Sequence, residues 1–160
     1  MLSPEYIAGF FDGEGCVCLA RTSTRRHKGV NLRVLIGHTD ESILRCLQAM
    51  FGGSVLGPTS LRNGWKPRWQ FTLSTHNAEQ FLLQIRPFVI LKRPQVELAL
   101  SFCEFQRMPK DERFDKYTIP SRNWRSGSPA HIPQWRRKPE VVQRELDFKE
   151  QMNALNKKGA

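Results

Sequence analysis

Residues 6–15 read Tyr6-Ile7-Ala8-Gly9-Phe10-Phe11-Asp12-Gly13-Glu14-Gly15. The stretch begins as an apolar helix with small residues and ends in two acids and two glycines. Ser3-Pro4-Glu5 precedes it and supplies a capping hydroxyl, a proline at the first helical position and an acid in the first turn. We predict a helix that ends by Gly13 or Gly15. Such a helix places carboxylates at the end of a buried element, where a divalent metal can bind.

A hairpin and a second helix are predicted next. Residues 16–24 alternate between two faces, and a second strand that ends near His38 alternates in the same way. Thr39 is the predicted cap of the second helix, because acids follow it, and Gly52-Gly53 ends this helix. The hairpin therefore has one face for a core and one for a polar partner.

A second hairpin follows the second helix. Its first strand is predicted around residues 54–61, and Asn63-Gly64 is a strong turn signal. The return strand alternates, with three apolar residues facing inward: Trp69, Phe71 and Leu73. The order of helix, two strands, helix, two strands and then helices predicts an α+β fold. One antiparallel four-stranded sheet would carry the helices on a single face.

The last third of the chain is predicted to be mainly helical. Asn77 is the predicted cap of a third helix that runs to about Ile85, and a fourth helix follows Lys92. Residues rich in Pro, Ser, Arg and Trp then suggest a long loop, and Pro139 opens a final helix. We therefore divide the chain into a core at 1–107, a basic loop over the same domain at 108–138, and a C-terminal helix at 139–160.

Charge and length narrow the classes of partner. The chain has 160 residues, which suits one domain with a core, and a net charge of +10 with a pI near 10. Acids are absent from residues 16–38, 42–78 and 116–138, while bases are frequent there. Bases thus concentrate in the predicted strands and loops, and acids in the helices. This separation favours a sheet face that lies on a polyanion such as nucleic acid over a merely solvated basic surface.

Cysteine usage and hydropathy argue against secretion and membrane insertion. Cys16 and Cys18 have the wrong spacing for a paired-cysteine zinc site, and no disulfide framework is indicated. No stretch is apolar and long enough to span a bilayer, and no signal peptide is visible. We expect an intracellular protein, in the bacterial cytoplasm or in an organelle (chloroplast or mitochondrion).

The segment I-A-G-F-F-D-G-E-G, residues 7–15, resembles the signature of the LAGLIDADG homing endonucleases. The predicted elements over residues 3–107 resemble the αββαββα core of that family. The resemblance implies a site-specific double-strand DNA endonuclease of the intron-homing type. It would hydrolyse phosphodiesters in a metal-dependent reaction at a long, near-palindromic site.

The small residues of the motif suggest a dimer. Gly9 and Gly13 are four residues apart and share one stripe of the helix, where small residues let two backbones approach closely. One copy of the motif is present, so the second helix would come from another molecule, in a homodimer with two-fold symmetry. The predicted interface residues are Ala8, Gly9, Asp12 and Gly13.

The acids at the helix end suggest metal chemistry. Clustered carboxylates repel each other unless a cation joins them, and Mg²⁺ prefers oxygen ligands. In the family the last acid of the motif binds the metal, which implies this role for Glu14, beside Gly13, where Asp is usual. Asp12 takes the earlier position, which tends to be structural. We expect Mg²⁺ as the cofactor, Mn²⁺ to substitute for it, and Ca²⁺ to support binding without cleavage. The alternative is an acid pair exposed to water, although acids at a helix C-terminus oppose the dipole.

Two further site residues are implied by the resemblance. Family active sites contain a lysine after the third helix, and Lys92 in Pro87-Phe88-Val89-Ile90-Leu91-Lys92 matches it. It would stabilise charge on the phosphate or tune the water network. His38 falls where the family often has Gln or Asn that organises water. A solvated lysine and a satisfied surface histidine are the alternatives.

DNA would be read by the outward residues of the hairpins, because a two-stranded ribbon fits the major groove. The predicted base readers are Thr22, Thr24, Asn31, Arg33, Arg68, Gln70 and Thr72. Loop bases are expected to contact phosphates. The predicted phosphate contacts are Arg25, Arg26, Lys28, Arg62 and Lys66, with Arg122, Arg125, Arg136 and Arg137 as an extension of the clamp or as incidental bases.

Other functions remain open on the sequence. The same fold suits an RNA maturase that binds intron RNA, or a DNA-binding regulator. Members that bind without cutting are expected to lose the motif acid, and this chain keeps Glu14. A third possibility, an interaction module that only dimerises, leaves the basic hairpins without a purpose.

Overall fold

The computed structural model of this chain describes residues 2–24, 27–59, 66–120 and 131–158. Its first half contains α1 (Pro4–Glu14), β1 (Gly15–Thr24), β2 (His27–His38), α2 (Glu41–Phe51), β3 (Ser54–Thr59) and β4 (Arg68–Ser74). Its second half contains α3 (Thr75–Ile85), α4 (Arg93–Gln106), α5 (Lys110–Arg113), β5 (Phe114–Pro120), β6 (His131–Arg137) and α6 (Pro139–Lys158). The predicted α+β class and the αββαββα order are confirmed.

The main sheet has four antiparallel strands in the order β1-β2-β4-β3. Its register aligns apolar residues across the strands on one face, as in the row Val17, Val34 and Leu73. A second row joins Ile36 to Phe71. These side chains are almost completely buried, which confirms the inward face predicted from the alternation.

The helices cover this inward face and complete the core. The ring of Phe81 on α3 meets Phe11 on α1 edge-on, with 5.7 Å between centroids, and meets Phe51 on α2 at 5.0 Å. Burying each such side chain contributes roughly 1.5–3 kcal/mol before the entropy of ordering is counted. Because α3 packs on both earlier helices, the end of α1 is fixed relative to the sheet.

Two predicted helix caps are wrong by one and three residues. Asp40, not Thr39, caps α2, and its Oδ1 accepts a hydrogen bond from the Ser42 N–H at 2.8 Å. The Ser42 hydroxyl, which donates to the same oxygen at 2.7 Å, and this backbone bond hold the pKa of Asp40 below its usual value. α3 begins after Ser74 rather than at Asn77.

The segment predicted as a loop at 108–138 instead contains α5 and the hairpin of β5 and β6. Contacts distant in sequence hold this hairpin. Arg137 forms an ion pair with Glu145 of α6 at 2.6 Å, and the Lys138 N–H donates to the Arg113 carbonyl at 3.0 Å. Glu145 is buried and also accepts from Gln106 of α4 at 2.8 Å.

None of the described helices combines the length and the hydropathy that a membrane crossing requires.

Candidate active site and nucleic-acid surface

The two acids of the motif have different surroundings. α1 begins at the Ser3 cap and ends at Gly15, whose N–H donates to the Phe11 carbonyl. Near this end the carboxylate of Asp12 accepts three backbone N–H groups, from Ile90 at 2.8 Å, Leu91 at 3.1 Å and Lys92 at 3.0 Å. Asp12 therefore fastens the segment before α4 to the end of α1. This geometry suits the structural role that the resemblance implies for it.

Lys92 lies at the same helix end. It precedes α4 and its ammonium donates a hydrogen bond to the backbone carbonyl of Asp12. Such a carbonyl at a helix C-terminus has no partner within the helix, and a cation there is favourable to the dipole. The positive charge of Lys92 also opposes the effect of burial, which raises the pKa of the Cys16 thiol. Lys92 is thus held near the end of α1 and the start of β1.

Glu14, the last residue of α1, is exposed and borders an open cleft of about 390 Å³. The cleft lies over the outward face of the sheet, opposite the core. Its walls come from α1 and from all four strands of the main sheet: Glu14, Cys16, Leu35, Gly37, Thr59, Arg68, Trp69 and Gln70. An acid is thus available at the surface that the sequence predicted for DNA.

The residues present fit a magnesium ion only as part of a larger site. Glu14 offers carboxylate oxygens, while the carboxylate of Asp12 is occupied by backbone donors. In the part of the chain that the structure describes, no group of three or more His, Cys, Asp or Glu side chains could hold a metal ion. Mg²⁺ commonly uses one or two carboxylates together with substrate phosphates. One exposed acid of the motif at the cleft agrees with that pattern.

His38 is not among the described residues that line the cleft, and its contacts favour the alternative of a satisfied surface histidine. The alternation of β2 puts it on the same face as Ile36, and its ring meets Phe10 of α1 edge-on at 5.3 Å. Its Nδ1 accepts a hydrogen bond from the Asp40 N–H at 3.0 Å. Both contacts turn the ring toward α1 and the start of α2.

Arg68 is a cleft residue that the sequence assigned only to base reading. Its guanidinium lies directly over Gly37 of β2. A Cβ at position 37 would come within 2.7 Å of the Arg68 Cζ. No sequence signal joins these residues, because the contact depends on the pairing of β2 with β4.

The outward face carries several of the predicted readers. The register places Cys18 opposite Arg33, and Ala20 opposite Asn31. Arg33 and Gln70 are exposed, whereas Asn31 and Thr72 are half-buried. Gln70 also donates to the Thr72 hydroxyl at 3.3 Å. Lys66, which precedes β4, is exposed.

The two arginines of β6 have different roles. Arg136 is exposed and lies over the ring of Tyr117, with 5.6 Å from Cζ to the ring centroid. The guanidinium of Arg137 pairs with Glu145 and lies against Gly29 of β2. Arg137 therefore joins the hairpin of β5 and β6 to β2 as an anchor, while its predicted DNA contact stays a prediction.

Three further predicted DNA contacts lie in the first two strands. The backbones of Thr22, Thr24 and Lys28 belong to β1 and β2. The predicted contacts outside the described residues are Arg25, Arg26, Arg62, Arg122 and Arg125.

The exposed stripe of α1 differs in part from the predicted interface. Gly9 and Gly13 are exposed, and a Cβ added at either would meet nothing within 4 Å. Ala8 is fully buried in its own core, so its predicted place at the interface is corrected. Ile90 and Leu91 are 77% and 74% exposed, next to the Asp12 carboxylate that holds their backbone. The stripe and this apolar segment form one surface.

The comparison with solved structures identifies the fold. The chain is similar to the homing endonuclease I-CvuI, solved with its target in the presence of Ca, with 19% identity and a TM-score of 0.65. That match covers 95% of this chain and 80% of the other. The archaeal intron-encoded homing endonuclease I-Vdi141I, complexed with DNA, gives 12% identity and a TM-score of 0.64 over 95% and 82% of the two chains.

A longer chain matches in part. The LAGLIDADG homing endonuclease I-LtrWI, bound to target DNA, gives 14% identity and a TM-score of 0.61, over 93% of this chain and 43% of that one. No protein-family model and no curated protein matches the sequence. At these identities the similarity concerns the fold. The chain therefore has the fold of the LAGLIDADG homing endonucleases.

Proposed function

We propose that this protein is a site-specific, Mg²⁺-dependent double-strand DNA endonuclease of the intron-homing type that acts as a homodimer. The observation that carries the proposal is the contrast between the two motif acids. Asp12 is saturated by backbone donors, while Glu14 is exposed in a cleft on the basic face of the sheet. An acid at a helix C-terminus opposes the dipole, so its exposure there is best explained by a bound cation.

The basic strands support DNA as the substrate. Net charge is +10, and acids are absent from the sequence of β2 and of β4. The solved structures with this fold, I-CvuI and I-Vdi141I, were determined with DNA. Arg33 and Gln70 are exposed on the outward face of β2 and β4. A two-stranded ribbon of these strands would place both side chains in the major groove. Lys66 and Arg136 would contact phosphates.

The homodimer would bring two clefts together. The stripe of Gly9 and Gly13 is open in a single chain, and Ile90 and Leu91 extend it with exposed apolar surface. A second copy of the same surface would pack here across a two-fold axis. Each copy would contribute one Glu14. The two sites would face the two antiparallel strands of the DNA duplex. The target would have near-symmetric half-sites.

The residues of each cleft would divide the work. Glu14 and Gly13 would hold a metal ion, which would supply Lewis acidity and an activated water when bound. Lys92, fixed by Asp12, would offset negative charge that builds on the phosphate. The sheet would exclude bulk water and hold the strand in line with the acid.

The test is cleavage of a plasmid library with randomised palindromic inserts, in Mg²⁺ and in Ca²⁺. We expect linear products with defined ends from the wild type in Mg²⁺, and binding alone in Ca²⁺. Glu14→Gln should bind but not cut. Glu5→Gln, at an exposed acid in the first turn of the same helix, is the matched control and should cut normally.

Two results would contradict the proposal. Wild-type binding without cutting in Mg²⁺ would indicate the maturase or regulator class instead. Cutting by Glu14→Gln at the wild-type rate would remove the acid from the chemistry. Binding of intron RNA in preference to DNA would separate the maturase from the regulator.

A further inference from the structure

The guanidinium of Arg68 lies against the backbone of a neighbouring strand, on the sheet face that we propose meets DNA. Arg68 is the first residue of β4 and lies on the outward face with Gln70. Its guanidinium crosses to β2 and lies against Gly37. Gly37 is buried although it also belongs to the outward face. The Arg68 side chain accounts for the burial of Gly37.

The absence of a side chain at Gly37 makes this position possible. A Cβ there would come within 2.5 Å of Nε and 2.7 Å of Cζ of Arg68, closer than real Cβ atoms approach other atoms. The backbone of Arg68 is also held from the other side. It pairs with Thr59 of β3, whose hydroxyl donates to the Arg68 carbonyl at 3.3 Å. Gly37 therefore acts as a seat for the guanidinium.

The charges of the cleft leave this guanidinium available to an anion. Among the described residues, no carboxylate forms an ion pair with Arg68. Glu14 lines the same cleft, and Lys92 lies behind it at the end of α1. A metal ion on Glu14 and the guanidinium of Arg68 would thus present two positive groups to one ligand. A phosphodiester is the anion that the proposed function brings to this cleft.

We propose that Arg68 binds the phosphate at the cleavage site, rather than a base, and that Gly37 holds its guanidinium there. This inference rests on the proposed nuclease function. Arginine presents donors in a planar fork that matches two phosphate oxygens. A guanidinium held against the sheet would meet the backbone of the DNA strand that lies in the cleft beside Glu14. A side chain that reads a base must instead extend into the groove. The hydrogen bonds of Arg68 would strengthen as negative charge develops on the phosphate.

The first test compares Arg68→Gln with Arg33→Gln, at the exposed arginine predicted to read a base. Single-turnover cleavage in Mg²⁺, affinity in Ca²⁺ and base preference at every position of the site are measured for each. Arg68→Gln should cut about 10²–10³-fold more slowly, with affinity changed by a small factor and base preference unchanged. Arg33→Gln should relax preference at one base pair. Arg68→Lys should restore part of the rate, because it keeps the charge but not the fork.

The second test uses the seat. Gly37→Ala should slow cleavage like the loss of Arg68, because the added methyl displaces the guanidinium. In an Arg68→Gln background the same change should have little further effect, so the two changes should be strongly non-additive. Thermal unfolding of each variant identifies those that fail to fold. If Gly37→Ala fails to fold, the comparison of Arg68→Gln with Arg68→Lys decides the role of Arg68.

The outcomes separate this role from the proposed function. Relaxed base preference at one position, with a normal cutting rate for Arg68→Gln, would overturn the phosphate assignment while the nuclease stands. Additive effects of Gly37→Ala and Arg68→Gln on the cleavage rate would overturn the proposal that Gly37 positions the Arg68 guanidinium. Absence of any cleavage by the wild type would overturn the nuclease and the role of Arg68 with it.

Discussion

Asp12 and Lys92 are joined twice. The Lys92 N–H donates to the Asp12 carboxylate at 3.0 Å, and the Lys92 ammonium donates to the Asp12 backbone carbonyl. The carboxylate also holds the N–H groups of Ile90 and Leu91. One acid of the motif therefore positions the lysine, while the other, Glu14, stays exposed at the cleft.

Asp12→Asn should destabilise the fold and also slow cleavage. The asparagine amide has one acceptor oxygen, and its NH₂ group would face backbone N–H groups that the carboxylate accepts. Some of these N–H groups would therefore lose their partner. The loss should be about 1–2 kcal/mol, because the site is half-exposed. Denaturant unfolding measures it, and Glu14→Gln is the control, which should leave the stability unchanged or slightly raised. Equal stability of wild type and Asp12→Asn would show that the three backbone hydrogen bonds to the Asp12 carboxylate contribute nothing to the free energy of unfolding.

The strands and most helices could be predicted because their signal is local. In β1 and β2 the alternation matches the core row by row, so the pattern alone determines which face is buried. The caps could not be predicted in the same way. Thr39 and Asp40 are adjacent and both can cap, and only the bond from Ser42 to Asp40 decides between them. The hairpin of β5 and β6 was not predicted, because its strands depend on the contact of Arg137 with α6.

The candidate site likewise contains residues that a local motif predicts and contacts that depend on how the strands pair. Glu14 and Lys92 follow from a short motif and its resemblance, and the structure places both at the end of α1. The seat of Arg68 on Gly37 needs the register of β2 against β4, which no short-range pattern specifies. His38 illustrates the same limit, since a change of one position along a strand moves a side chain to the other face.

Gly9→Leu should affect the single chain and the dimer in opposite directions. A Cβ at Gly9 meets no atom within 4 Å in one chain, and replacing glycine in a helix stabilises it by about 1 kcal/mol. If two copies pack along this stripe, the leucine side chains would collide. We expect a predominantly monomeric variant with raised or unchanged intrinsic stability. Sedimentation velocity measures the association, and thermal unfolding at low concentration measures the stability.

Ala49→Leu is the matched control for that prediction. Ala49 is exposed on α2, away from the stripe, so the added side chain should leave association unchanged. A dimer of Gly9→Leu as tight as that of the wild type would place the interface elsewhere on the molecule.

Glu145→Gln should loosen the hairpin of β5 and β6. Glu145 is 1% exposed and accepts from Arg137 at 2.6 Å and from Gln106 at 2.8 Å. Arg113 lies close by, and burial and the charge of Arg137 lower its pKa. The substitution removes the negative charge that offsets both arginines. We expect a loss of about 2–4 kcal/mol in the free energy of unfolding, because a buried pair is broken from one side.

The control for this change is Glu150→Gln, at an exposed acid of the same helix. It should alter the stability by no more than about 0.5 kcal/mol. Hydrogen exchange adds a local readout, since β5 and β6 should exchange faster in Glu145→Gln while the main sheet is unchanged. Uniform destabilisation, with the hairpin still as protected as before, would argue against the anchoring role.

Alkylation of cysteines should report which face of the sheet meets DNA. Cys16 lines the cleft and Cys46 is exposed on α2, on the opposite side of the sheet. Burial raises the pKa of Cys16, and it raises the pKa of Cys103 to about 11. Because the thiolate is the reactive form, we expect Cys46 to react first and Cys103 last at pH 8. The reaction of Cys16 and Cys103 should accelerate as the pH rises toward their raised pKa values.

Bound DNA then supplies the decisive comparison. In Ca²⁺, with the target duplex in excess, iodoacetamide should modify Cys16 much more slowly than in the free protein, while the rate at Cys46 is unchanged. Mass spectrometry of the peptides gives both rates in one sample, so Cys46 serves as an internal control. Protection of Cys46 with Cys16 left reactive would place the DNA on the helical side. That result would contradict both the cleft at Glu14 and the seat of Arg68 as parts of the DNA surface.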